Sequence, residues 1–127
     1  LSTKGASLWL ANTGDEVTDV AIAGKQVFAA STSFNLFAFD GRGRRLWRRE
    51  RADVPNSIAV FGSKTTPMLA AGCEDGSVAV YSCDGMLRRE SKLAGPVARI
   101  QAVEETTANQ RILALLPGQG VVALAAP

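Results

Sequence analysis

Phe37-Ala38-Phe39-Asp40-Gly41, followed by Leu46-Trp47-Arg48-Arg49-Glu50, has an echo downstream. Val80-Tyr81-Ser82-Cys83-Asp84-Gly85 is followed by Met86-Leu87-Arg88-Arg89-Glu90. The two Asp-Gly dipeptides lie 44 residues apart. The same interval separates Gly76, opening Gly-Ser-Val-Ala-Val-Tyr, from Gly120, opening Gly-Val-Val-Ala-Leu. A period of about 40–45 residues holding several short strands is the sequence mark of a β-propeller blade.

The patterning around the repeat is that of strands. Ser77-Val78-Ala79-Val80-Tyr81 alternates, and Asp75-Gly76 between two apolar runs is a hairpin signal, because glycine accepts positive φ. Four strands per unit are expected. The first unit has 17–24, 26–32, 35–40 and 45–51; the second has 56–62, 68–73, 77–82 and 86–91. A third has 96–103, 111–116 and 120–125 and stops before its fourth strand. Residues 6–11, with Ser7-Leu8-Trp9-Leu10, read as the last strand of an earlier unit. The organisation is therefore 1–16, the end of a preceding blade; 17–53 and 54–94, two full blades; and 95–127, an incomplete last blade. Ala29-Ala30, Ala70-Ala71 and Ala114 put small side chains on the second strand of each unit, where crowding is expected, while Phe, Trp and Tyr on later strands fill the wider space between blades.

The fold class is thus all-β, a partial β-propeller of about three four-stranded blades from a ring of about seven. Propellers use about 4–8 blades, so the first and last blades would present apolar faces and open edges. The rest of the ring is expected upstream or in another chain. A three-blade solenoid or an assembly of copies is the alternative.

Composition narrows the function. Of 127 residues, 46% are apolar and 20% charged, an ordinary globular balance. There is no histidine, which removes Ser-His-Asp and Cys-His catalysis, most zinc sites and a histidine-ligated haem. No apolar run approaches the roughly 20 residues that span a bilayer, and the first residues do not read as a secretory signal.

Cys73 and Cys83 fall on one hairpin about 16 Å apart by strand rise, too far for a disulfide, so two free thiols are expected. Asp40, Asp75 and Asp84 precede glycine in turns and bond local backbone rather than a metal. Gly41-Arg42-Gly43 and Gly118-Gln119-Gly120 lack the strand, helix and Lys-Ser/Thr of a phosphate loop. Glu104-Glu105 reads as part of a solvated loop, and Trp9 and Trp47 as packing residues. Neither an enzyme, a cofactor nor a metal is expected.

The formal net charge of +2 conceals clustering. Arg42, Arg44, Arg45, Arg48, Arg49 and Arg51 form one basic stretch, and Arg88, Arg89 and Lys92 another. Two readings stand: solvated strand edges that charge keeps from pairing, or an edge facing an acidic partner. Nucleic acid is not expected, because few aromatic residues are interleaved for stacking.

Three segments carry a resemblance. Gln26 to Arg48, Met68 to Tyr81 and Arg111 to Val122, in that order and spacing, resemble the late propeller blades of the Bardet–Biedl syndrome protein 1 family, subunits of the BBSome, a ciliary membrane-protein coat. The chain departs from that family at Pro117, where the family often has a basic residue, at Gly118-Gln119-Gly120, where it has a triple glycine, and in the alanine-rich 121–127. The resemblance implies a non-enzymatic adaptor. Its expected partners are the GTP-bound form of an Arf-like small GTPase, other BBSome subunits and the remainder of the propeller, with peripheral membrane association through the complex. The implied location is cytoplasmic, at the cilium, its basal body and the ciliary membrane. The implied docking surface is the loops and edges of the last blade: Arg99, Gln101, Glu104, Glu105, Asn109 and Arg111.

Two other readings compete. Quinoprotein-like repeats, in an enzyme or a bacterial envelope assembly factor, share the pattern from Phe37 to Trp47; they would need axial metal-ligand or cofactor-binding carboxylates. A generic WD-type scaffold would be expected to end its blades with Trp-Asp, which is absent.

Overall fold

The computed structural model describes residues 8–63, 65–106 and 109–127, and the side chains of 105, 106 and 109 fall outside that description. The described residues form strands and turns with no helix. The first sheet is antiparallel in the order β1 (Val17–Ala23), β2 (Gln26–Ser31), β3 (Asn35–Phe39), β4 (Arg45–Glu50). The second is β5 (Pro55–Gly62), β6 (Pro67–Cys73), β7 (Ser77–Ser82), β8 (Leu87–Lys92). The third has three strands, β9 (Arg99–Thr106), β10 (Asn109–Leu116) and β11 (Gly120–Ala125). These are the expected blades, and neighbours in the chain are neighbours in each sheet, as in an up-and-down propeller blade.

First strands pack on first strands, β1 beside β5 and β5 beside β9, so they line the inner end of the fan. β4 and β8 are the outer edges of their sheets. Two apolar layers hold the blades together. Phe28, Ala30, Leu36, Ala38 and Trp47 of the first blade meet Ile58, Leu69, Ala71, Ala79 and Tyr81 of the second. Ala70, Val78 and Val80 on the opposite face of the second blade meet Val97, Ile100, Ile112, Ala114 and Leu116. Alternate residues of one strand thus go to opposite interfaces, which is why β3, β6 and β7 are buried almost throughout. Ala30 of β2 and Ala70 and Ala71 of β6 sit inside these layers, where a bulkier residue would push the sheets apart.

The structure revises three expectations. First, the later strands and turns of the first two blades repeat at 42 residues, not 44. Asp40 N donates to Arg44 O and Gly43 N to Asp40 O; Ser82 N donates to Met86 O and Gly85 N to Ser82 O. Asp40 therefore corresponds to Ser82, and Gly43 (φ +84°) to Gly85 (φ +88°). The Asp-Gly pair opens the first turn but lies deeper in the second. The pairings Ala38↔Trp47 and Val80↔Arg89 confirm that Arg89 stands where Trp47 stands.

Second, 104–106 and 109–111 are strand where a loop was expected, and residues 107 and 108 of that loop lie outside the described residues. β9 extends through Thr106 and β10 begins at Asn109, with Gln110 opposite Glu104 and Arg111 opposite Val103. Gln110 Nε2 donates to Glu104 Oε1 at 3.0 Å, so polar residues continue the ladder beyond its apolar part.

Third, of the strand expected at 6–11, residues 8–11 have no regular structure, and residues 6 and 7 lie outside the described residues.

Candidate partner-binding surfaces

The basic stretch divides into fasteners and free charges. Arg51 follows β4 and turns into the interface between blades. Its Nη1 donates to Tyr81 Oη at 2.9 Å, its Nη2 to Ser77 Oγ at 3.3 Å, and Nη2 also pairs with the Glu90 carboxylate. The side chain is only 8% exposed. Burial alone would disfavour its charge; the bonds to Glu90 and Tyr81 outweigh that and raise its pKa above the ordinary value. Arg51 was expected on a solvent-facing edge and is instead a buried clamp, because the chain passes from the outer edge of one blade to the inner strand of the next there.

Arg49 is half-buried, with Nε donating to Gly85 O at 2.7 Å and its guanidinium over the Trp47 ring, 5.6 Å from the centroid. Arg89 donates to the Ala125 carbonyl of the third blade. Arg44 is exposed and pairs with Asp40 at 3.1 Å. Arg42, Arg45, Arg48 and Arg88 are exposed and have no ion-pair partner among the described residues.

A single fastening recurs from blade to blade, and sequence reasoning took only part of it. Trp47 Nε1 donates to Cys83 O at 2.8 Å. Trp9 Nε1 donates to Gly41 O, the corresponding carbonyl of the first blade, at 3.2 Å. A Cβ on Gly85 would lie 2.9 Å from the Trp47 ring, and one on Gly43 2.5 Å from the Trp9 ring. Trp9 thus occupies on the first blade the place that Trp47 occupies on the second. The recurring Leu-Trp pairs, Leu8-Trp9 and Leu46-Trp47, were the available signal.

The residues expected to form a docking surface on the last blade do not share one face. Arg99, Gln101 and Arg111 stand with Leu113, Leu115 and Val121 on the face turned away from the second blade; Leu115 is 44% and Val121 65% exposed. Arg99, Ile100, Gln101, Leu113, Leu115 and Val121 line an open groove of about 230 Å³ there. The corresponding faces of the first two blades, Phe28, Leu36 and Ala38, then Ala70, Val78 and Val80, are buried between blades. Glu104 and Gln110 belong to the opposite side. They border a cleft of about 340 Å³ where β1, β5 and β9 end, lined also by Ile22, Val60 and Phe61. Glu105 and Asn109 lie on the same hairpin, and their side chains are outside the described residues.

The turn carboxylates behave as turn residues. Asp40 accepts from the backbone N–H of Arg44 and Arg42, and those bonds hold its pKa below the ordinary value. Asp84 accepts from the Ser82 hydroxyl, with the same effect. Asp75 accepts from Ser77 N and Oγ and pairs with Lys92 at 3.5 Å. Cys73 and Cys83 are free thiols, Cys73 buried and its pKa raised chiefly by that burial.

No protein-family model matches the chain. No curated protein matches it. Solved structures do. A crystal structure of BBS1N in complex with ARL6DN, soaked with lead, is similar over 89% of this chain with a TM-score of 0.76 and 16% identity. A mercury-soaked crystal of the same complex gives 0.74 over 87%, also at 16% identity. The Myceliophteria thermophila Cps50 (Swd1) β-propeller domain gives 0.69 over 95% at 13% identity. The chain spans about two fifths of these structures, 37%, 38% and 42% of their lengths. The fold is therefore that of β-propeller blades.

Proposed function

We propose that this chain is part of a non-enzymatic adaptor propeller of the BBSome type, which binds the GTP form of an Arf-like small GTPase and joins a membrane-protein coat at the cilium. The carrying observation is the likeness, over 89% of the chain, to BBS1N solved with ARL6DN, together with the ordered resemblance of Gln26–Arg48, Met68–Tyr81 and Arg111–Val122. Residues 8–16 are read as the trailing end of a preceding blade, since Trp9 docks on the first blade as Trp47 docks on the second. In the complete ring a further blade covers Leu113, Leu115 and Val121, and with them much of Arg99, Gln101 and Arg111. The part of the last blade left for a GTPase is then the end of the β9–β10 hairpin, with Glu104, Glu105 and Asn109.

Calorimetry of the full-length protein against the GTPase loaded with GTP or GDP tests this reading. Tighter binding of the GTP form, weakened by Glu104→Arg, supports it; equal affinity for both forms contradicts it, since a switch is read only through differential contacts. The likeness to Cps50 favours a second reading, a WD-type scaffold of another complex, under which neither nucleotide form binds.

A further inference from the structure

Charge is segregated between the two ends of the first two blades. At the end where β3 turns into β4 and β7 into β8, the exposed cations among the described residues are Lys25, Arg42, Arg44, Arg45 and Arg88. The acids there are Asp40 and Asp84, both engaged by hydrogen bonds within their own turns. At the opposite end the exposed charges are Asp15, Glu16, Glu50 and Glu74, with Lys92 there paired to Asp75.

The basic end is one rigid surface. Gln26 Nε2 and Trp47 Nε1 both donate to Cys83 O, at 3.1 and 2.8 Å, and Arg49 Nε donates to Gly85 O. These bonds tie strands β2 and β4 of the first blade to the β7–β8 turn of the second. Apolar side chains stand exposed among the arginines: Leu46 at 46%, Met86 at 58% and Leu87 at 51%. Met86 belongs to the turn itself, and Leu87 begins β8 beside Arg88.

We propose that this end of the blades lies directly on an anionic membrane, with Arg42, Arg45 and Arg88 on headgroup phosphates and Met86 and Leu87 entering the interfacial layer. Guanidinium groups match phosphate oxygens in a bidentate manner. Cations flanking exposed apolar side chains combine attraction to anionic lipid with burial of apolar area. The arrangement favours a bilayer over an acidic protein because Met86 and Leu87 stand out at a turn and a strand start, as insertion into lipid requires.

The test is sedimentation of the full-length protein with phosphatidylcholine vesicles, with and without phosphatidylserine, and with no GTPase present. Its outcome is therefore independent of the GTPase reading. The wild type is expected to bind only the phosphatidylserine vesicles, and less as salt rises. Arg42→Glu/Arg45→Glu/Arg88→Glu should lower the partition by about tenfold or more. The milder Arg42→Gln/Arg45→Gln/Arg88→Gln should lower it less without disturbing the fold. Met86→Ser/Leu87→Ser should remove the binding that survives at high salt. Lys92→Glu, at the other end of β8, should change the partition little. No binding of wild type to phosphatidylserine vesicles, or equal binding by the glutamine variant, overturns the proposal. Binding to polyglutamate but not to vesicles overturns it in favour of an acidic protein surface.

Discussion

Arg51 Nη1 lies 2.9 Å from Tyr81 Oη, and the guanidinium carbon sits 6.0 Å from the tyrosine ring centroid, so a cation of the first blade is seated in the wall of the second. Glu90 closes the arrangement from β8. The basic stretch therefore contains two residues, Arg49 and Arg51, that hold blades together and others that stay free to meet something else.

Arg51→Ala should cost about 2–4 kcal/mol, because Tyr81, Ser77 and Glu90 lose a shared partner in a mostly buried place. Arg48→Glu, on the exposed edge, should stay within about 0.5 kcal/mol of wild type. Chemical denaturation of the two variants separates them. Equal stability would mean that the clamp contributes nothing.

Trp47→Phe keeps most of the apolar area between Phe28 and Tyr81 but deletes the donor to Cys83 O. The expected loss is about 0.5–1.5 kcal/mol, the worth of one hydrogen bond, since Cys83 O keeps the donor Gln26 Nε2. Trp9→Phe should cost less, since Trp9 is 37% exposed and its bond to Gly41 O is longer. Thermal unfolding of the pair gives the order, and a larger loss at Trp9 would contradict it.

How much of this was legible in the sequence depends on the kind of feature. Most strands were, because alternation and turn glycines mark them locally: β7 was read at its observed bounds and β3 to within a residue. The 42-residue correspondence was not. The bulges between Ala38 and Phe39 and between Val80 and Tyr81, and the different depth of Asp-Gly in the two turns, are properties of pairing rather than of residue type. Six clustered arginines look alike in sequence; only the path from β4 into β5 buries Arg51. Glu104 was read as part of a loop because its polarity resembles one, yet strand pairing carries it to the side of the sheet opposite Arg99 and Gln101.

Phe34 has φ of +72° in the turn that Gly76 occupies, at +88°, in the second blade. A left-handed conformation costs a residue with a Cβ about 1–2 kcal/mol, and glycine loses part of that gain through its freer unfolded chain. With the ring 40% exposed, Phe34→Gly should raise stability by about 0.5–1 kcal/mol. Calorimetric unfolding would show the midpoint rising; a fall would mean that the ring packs more tightly than its exposure implies.

Asp75 bears on acid stability. Burial would raise its pKa, but the bonds from Ser77 and the charge of Lys92 lower it below the ordinary 3.8. A carboxylate with a depressed folded pKa contributes stability that is fully present above the unfolded value and lost as pH falls through the folded one. The stability gap between wild type and Asp75→Asn should therefore be constant near neutrality and close as pH drops below 3.8. Denaturation curves across that range measure it, and a gap that widens in acid would contradict the assignment.

The central claim is that these sheets are consecutive blades of a larger ring, with the Leu113–Leu115–Val121 face covered by the next blade. Thiol labelling tests it most directly. A Leu115→Cys substitution in a Cys83→Ser background of the full-length protein is read against the Cys83→Ser parent, so that the introduced thiol is the difference between the two, and Cys73 is buried. The account predicts that Cys73 and the introduced thiol both react only on unfolding, although Leu115 is 44% exposed in these blades alone. Immediate labelling of the introduced thiol in the native protein would contradict it.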